Sequence, residues 1–224
     1  MTNAKPPEKK KVTWFYDVIS PFAYLQSARL HASGFAPSVG RVQLECVPVL
    51  FAGLLDHWGH KGPAELPPKK VFVFRQCAWR ARRDGIPYKT PPQHPFNPLR
   101  ALRLAIALGG GLDVVRKIFE CIWVAGTLPD SEAGWAAMQA ALDVADGDAL
   151  VARPEVKQAL LANADRAIAA GVFGVPTLAI GGELFWGDDA LEMAEAYLAD
   201  PAIFDDEEMR RIETLAPSAV RRQK

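Results

Sequence analysis

The sharpest pattern in the chain is an apolar run with one break. Residues 12–19, VTWFYDVI, are β-branched, aromatic or aliphatic, interrupted by Asp17. Such a run predicts a strand covered on both faces. Ser20-Pro21 follows. Proline suits the first helical turn, where its missing N–H is not needed. Ser20 then falls at the N-cap, where a hydroxyl satisfies an orphan backbone N–H. The helix is expected to run to about Ala32, with Gly34 stopping it. After Gly40, residues 41–50, RVQLECVPVL, predict a second strand whose pairing finishes near Pro48. A strand–helix–strand unit this short predicts two parallel strands with a right-handed crossover.

The pattern then changes character. Residues 51–68 carry Gly53, Gly59, Gly62, Pro63, Pro67 and Pro68 and are expected to form a loop. A helix is predicted from there to about Asp84, ending at Gly85. Residues 88–98 are too rich in proline for regular helix, and Asn97-Pro98 opens the next one, with Leu99, Leu102 and Ile106 as its stripe. Val114, Val115, Ile118, Phe119, Ile122 and Trp123 recur at helical spacing. Asp130 or Ser131 caps a further helix bearing Trp135, Met138 and Leu142, and Pro154 starts one reaching about Ala170. Two short strands, 177–180 and 183–186, then flank Gly181-Gly182, a turn of the primed type. A helix with Leu191, Ala194, Tyr197 and Leu198 on one face follows, and Asp188 or Asp189 at its start suits the helix dipole.

The order is strand, helix, strand, helical segment, helix, strand, strand, helix. This predicts an α/β chain of thioredoxin-like fold with an all-helical insertion. The expected division is a tail at 1–11, a discontinuous thioredoxin-like domain at 12–55 and 152–204, the insertion at 56–151, and a charged tail at 205–224.

Composition narrows the function classes. Lys plus Arg and Asp plus Glu each number 26, so no global field recruits nucleic acid or an anionic membrane. No apolar run reaches membrane-spanning length, and the lysine-rich start lacks the core of a signal peptide, so a soluble cytoplasmic protein is expected. The three cysteines, Cys46, Cys77 and Cys121, include no CxxC pair, and His31, His57, His60 and His94 have no ligand spacing. Neither a disulfide framework nor a metal is expected. Ser20 admits two readings. It is a cap alone, or a hydroxyl placed where a helix N-terminus gathers partial positive charge and stabilises a thiolate or carboxylate.

Four motifs, FYDVISPFAYL, KGPAELPPK, HPFNPLRALRLA and GVFGVPT with LFWGDD, occur in this order across residues 12–198. Together they resemble the 2-hydroxychromene-2-carboxylate isomerases, relatives of kappa-class glutathione transferases in the DsbA-like branch of the thioredoxin fold. The resemblance implies an isomerase that uses glutathione as a regenerated cofactor in the breakdown of naphthalene-like aromatics. Its small-molecule substrate would be an aromatic carboxylate. It also implies a homodimer, since relatives are often dimers. A kappa-like transferase that conjugates glutathione to electrophiles, and a non-catalytic binding module, are the alternatives.

Carried over by residue, the resemblance places Ser20 beside the glutathione sulfur as the catalytic group. This chain has Ser20, Pro21, Phe22 and Ala23 where redox relatives have CxxC, which excludes dithiol exchange by the protein itself at this position. Val175, before an expected cis Pro176, would pair with the glutathione backbone; the plain reading is a loop proline. Asp188 and Asp189 match the segment that receives the γ-glutamyl ammonium, one of them serving only as a helix cap. Lys69 would meet a carboxylate, or is simply solvated. His60 stands where relatives often carry asparagine, and Ala190 where they carry arginine. Asn97 contacts substrate or merely caps. Phe22, Tyr24, Phe51 and Trp186 are candidate walls of an aromatic pocket, or core. Arg100 and Arg103, one turn apart, would attract the substrate carboxylate, or, on the plainer reading, are solvated.

Overall fold

The computed structural model describes residues 9–33, 35 and 42–219. The expected helix stop at Gly34, the lead-in at Gly40 and the extreme termini lie outside the described residues. Four strands, β1 (Lys10–Tyr16), β2 (Val42–Pro48), β3 (Thr177–Ile180) and β4 (Glu183–Trp186), form one sheet in the order β2-β1-β3-β4. β1 and β2 are parallel, in a register that sets Trp14 beside Cys46 and Tyr16 beside Pro48. β3 runs antiparallel to both β1 and β4. The β3–β4 turn uses Gly181 and Gly182 at φ 62° and 102°, backbone that a side chain would disfavour at both central positions.

Alternation along β1 divides the core. Trp14 and Tyr16 point to one face, their rings stacked with centroids 4.7 Å apart. They pack with Leu25 and Leu30 of α1 (Pro21–Ala32) and with buried Phe119. Phe15 points the other way, into a smaller cluster of Val47, Val49, Leu54, Ala167, Val172 and Val175. The sheet therefore buries both faces, which is why β1 reads as a continuous apolar run.

Between β2 and β3 the described chain is helical: α2 (Phe51–Trp58), α3 (Pro67–Arg83), α4 (Leu99–Ala107), α5 (Leu112–Trp123), α6 (Glu132–Ala141), α7 (Gly147–Ala152) and α8 (Pro154–Ala169), with a 3-10 turn at Pro63–Glu65. The expected loop at 51–68 is thus corrected by α2. Its N-cap, Leu50, has no side chain able to cap. Asp17, far away in sequence, supplies the acceptor instead: its Oδ2 takes the Phe51 N–H at 2.9 Å. Also unforeseen was the six-residue α7, capped by Asp146 Oδ1 on the Ala149 N–H. α6 begins at Ser131, whose Oγ accepts from Gly134 N at 3.1 Å. After β4 come α9 (Leu191–Ala199), a 3-10 turn at Pro201–Phe204 and α10 (Glu207–Glu213). No described helix is long and apolar enough to cross a membrane.

Candidate active site

α1 starts where β1 ends, and Ser20 is the joint. Its Oγ accepts the Ala23 N–H at 3.2 Å, the N-cap bond that Ser-Pro predicts. The same oxygen lies 3.5 Å from the Val175 carbonyl, to which it donates. That second bond is long, so the hydroxyl proton is easily redirected to a better acceptor. Ser20 keeps 7 % of its surface exposed, and that surface opens into a cavity of about 710 Å³.

Val175 is brought to Ser20 by the turn before β3. The Val175-Pro176 bond is cis. Gly187 N donates to Pro176 O at 2.9 Å, and Thr177 Oγ1 to Gly174 O at 2.8 Å, so the turn is held from both sides. A Cβ at Gly174 would sit 2.5 Å from Trp186 Nε1, so any larger residue there would push the indole from its place. Trp186 and Phe173 meet edge-to-face, centroids 5.1 Å apart, both exposed at the cavity rim. His60 faces the same turn with Nε2 3.3 Å from Phe173 O, so that nitrogen donates.

The cavity is apolar inside and cationic at its edge. Phe22, Phe51, Phe72, Phe74, Phe96 and Phe173 line it with Trp186, and so do Lys61, Lys69, Lys70 and His60 together with two carboxylates, Asp17 and Glu65. Glu65 is already engaged, its Oε1 accepting from Gly62 N at 2.6 Å. Lys70 donates to the His94 carbonyl, whereas Lys69 is exposed. Such a lining suits a flat aromatic body carrying negative charge.

Two titratable groups in the wall bear on that charge. Asp17 is 1 % exposed and has Ile19 N at 3.0 Å on Oδ1 and Phe51 N on Oδ2. Burial pushes its carboxyl up to about 7, against the pull of those N–H groups. His94 donates from Nε2 to Ile19 O at 2.9 Å, leaving Nδ1 buried as an unpaired acceptor. Burial lowers its pKa, which keeps the ring neutral near pH 7.

The structure brings together Ser20, Phe22, His60, Lys69, Val175 and Trp186, with Phe51 beside them, around this one cavity. The other anticipated residues stand apart from its lining. Tyr24 is turned inward, its hydroxyl donating to the Pro87 carbonyl and its ring tilted against Phe119 and Tyr88. Asn97 is exposed and caps, its Oδ1 accepting from Leu99 N at 3.0 Å. Pro176 is buried behind Val175. Asp188 is buried with Oδ2 2.8 Å from Arg29 Nη1 and 3.3 Å from Arg80 Nη1, a pairing that occupies that oxygen. Asp189 is exposed beside it. Arg100 is not free in solvent: it bonds Glu132 and Asp148 and lies 4.8 Å from the Trp135 ring centre.

Sequence reasoning did not single out Asp17, Lys70, His94 or the phenyl groups of Phe72, Phe74, Phe96 and Phe173 as site residues. His94 was weighed only for metal spacing. Asp17 did carry a signal, being the one charge inside the apolar run 12–19. Two of the thiols, Cys46 and Cys77, are pushed up to about 12 by burial, and Cys121 is raised for the same reason. None of the three lines this cavity. Among the described residues no group of three or more His, Cys, Asp or Glu is placed to hold a metal ion.

Comparison with known proteins agrees with this architecture. A glutathione S-transferase kappa 2 of Caenorhabditis elegans is 28% identical over 217 residues, 87% of this chain and 94% of the relative. A 2-hydroxychromene-2-carboxylate isomerase of Sphingobium xenophagum is 27% identical over 197 residues, 85% of this chain and 99% of the relative. A solved 2-hydroxychromene-2-carboxylate isomerase superposes with a TM-score of 0.73 at 24% identity, covering 87% of this chain and 97% of its own, a likeness of fold. The model of the DSBA-like thioredoxin domain matches residues 11–199, and the chain belongs to that family.

Proposed function

We propose that this protein is a glutathione-dependent isomerase acting on an aromatic carboxylate of the 2-hydroxychromene-2-carboxylate type, in cytoplasmic breakdown of naphthalene-like compounds. The observation that carries the reading is Ser20 Oγ, the capping hydroxyl at a helix N-terminus, opening into an aromatic, cation-rimmed cavity that contains no thiol. The residues fit the tripeptide. The cavity is roomy enough, Val175 and Ser20 meet at one wall, and Lys69 and His60 stand at the rim. Relatives at 27–28% identity bear both enzyme names, isomerase and glutathione transferase.

When bound, glutathione supplies a thiolate that adds to and leaves a conjugated carbon, so that a double bond is single long enough to rotate, with no net oxidation. The chain's own tasks are electrostatic and geometric. Ser20 turns its proton from Val175 O toward the sulfur and favours the charged form. The α1 N-terminus adds partial positive charge at the same point. Lys69 pairs with a carboxylate, and the phenyl walls orient the flat substrate while excluding water. Asp189, exposed beside the buried Asp188, is the carboxylate free to meet the γ-glutamyl ammonium.

The direct test is the absorbance change of 2-hydroxychromene-2-carboxylate with and without glutathione. Turnover that needs glutathione and leaves its concentration unchanged supports the isomerase. Stoichiometric loss of glutathione supports the second reading, a kappa-like transferase, which the 28% identical relative favours. No binding of glutathione in calorimetry leaves a non-catalytic module.

A further inference from the structure

Residues 17–20 join β1 to α1 without regular structure, and Ser20 is the last of them. Two carbonyls of this joint are met by side chains from the helical chain between β2 and β3. Trp123 Nε1, at the end of α5, donates to Val18 O at 2.9 Å. His94 Nε2 donates to Ile19 O at 2.9 Å. The two rings stand together, centroids 6.2 Å apart, and Phe74 of α3 packs against both. From the other side Asp17 Oδ1 takes Ile19 N at 3.0 Å, and Asp17 O takes Ser20 N at 3.1 Å. The two residues before Ser20 are thus gripped by aromatic donors on one side and by Asp17 on the other.

The hydroxyl itself is loosely held. Its donated bond to Val175 O is 3.5 Å long. Its cap bond to Ala23 N, at 3.2 Å, ties it only to α1. Where Oγ stands in the cavity is therefore set by the backbone that carries it. A misplacement of about 1 Å can cost about 100-fold in rate. Satisfying a buried carbonyl needs a donor but no particular one. Here the donors are flat rings wedged among other rings, which fix direction as well as satisfying the carbonyls.

We infer that His94 is a positioning residue for Ser20, with Trp123 as its companion. The helical chain between β2 and β3 thereby aims a hydroxyl that the β1–α1 joint carries. The inference rests on the glutathione reading of the Ser20 cavity. His94 acts through Ile19 and does not touch the sulfur. The role also accounts for its unpaired Nδ1: a neutral imidazole has one N–H, and Ile19 O claims it.

The test compares the wild type with His94→Phe and His94→Gln, with circular dichroism to confirm folding. Phe keeps a ring beside Phe74 and Phe96 and removes the donor. Gln loses the ring but carries an amide N–H at about the reach of Nε2. In His94→Phe the thiolate titration of bound glutathione should move up by about 0.5–1 in pKa, a thiolate-to-thiol ratio about 3- to 10-fold smaller. Glutathione-dependent turnover should fall with it, while affinity stays little changed. His94→Gln should recover most of both losses. In the glutathione-free protein, amide exchange at Ile19 and Ser20 should quicken in His94→Phe and much less in His94→Gln.

A role in packing alone would follow the ring, so a larger loss in His94→Gln than in His94→Phe overturns the inference. Equal amide exchange in all three proteins does the same. So does a His94→Phe titration that superimposes on the wild type while that of Ser20→Ala is raised, a result the glutathione reading survives. A wild type that binds no glutathione ends both.

Discussion

Asp17 and Asp188 are each 1 % exposed, and the protein handles their charge in different ways. Asp17 sits in the cavity wall with two backbone N–H groups on its oxygens. Asp188 lies between α1 and α3 with two guanidinium groups on one oxygen, while its Oδ1 is left without a partner. Burial raises both carboxyls, Asp17 to about 7 and Asp188 to about 6. In Asp188 the attraction of Arg29 and Arg80 works against desolvation; in Asp17 backbone N–H groups do. Side-chain charge makes Asp188 a latch between helices. Backbone dipoles alone leave Asp17 close to neutral pH, beside the proposed sulfur site.

The largest expected effect of breaking this contrast is at the latch. Asp188→Ala leaves Arg80 without its carboxylate and Arg29 with Asp84 alone, which costs about 3 kcal/mol of stability in urea denaturation. Replacing Asp188, Arg29 and Arg80 together by apolar residues of similar size should recover most of that loss. If the single and triple variants lose stability equally, the latch does not act through charge.

Asp17→Asn comes next. The amide offers one acceptor where two N–H groups need one each, so about 1–3 kcal/mol is lost. The pH dependence sharpens the assignment. The folded pKa lies above the ordinary 3.8, so the folded state binds more protons between those values. Its contribution is therefore complete below pH 4 and lost as pH rises through about 7. Denaturation at pH 5 and pH 8 should show a drop in the wild type that is smaller in Asp17→Asn. An equal drop in both would remove Asp17 as its source.

Smaller still is Ser20→Ala, where loss of the cap costs about 1 kcal/mol of stability. Its effect on chemistry is larger, a fall of about 10- to 100-fold in glutathione-dependent turnover. At the bottom of the scale, Lys69→Ala should weaken glutathione by less than about 1 kcal/mol, since an exposed pair is screened. The difference should shrink further as salt is raised.

Much of the framework was legible because its signals are local. The Ser20-Pro21 joint, the Gly181-Gly182 turn and the apolar run of β1 each lie within a few residues. α2 was hidden for the opposite reason: its N-terminus is capped by Asp17, thirty-four positions away, and its glycines read as loop. The same limit applies to Asp188, whose partners come from α1 and α3. Tyr24 looked available as a wall of the Ser20 cavity, yet one helical turn past Ser20 it is buried against Phe119 and Tyr88 and lines a different cavity, with Ile86 and Arg116. His94 lacks any local pattern, and only the folded chain sets its ring against Ile19 O.

The central claim, that Ser20 holds a borrowed thiol in its anionic form, is tested most directly by titrating the thiolate absorbance of bound glutathione in the wild type and in Ser20→Ala. One hydrogen bond to a charged group should separate the two curves by about 1–2 in pKa, higher in the variant, with affinity little changed. Superimposable curves, or no bound thiolate at neutral pH in the wild type, would contradict it.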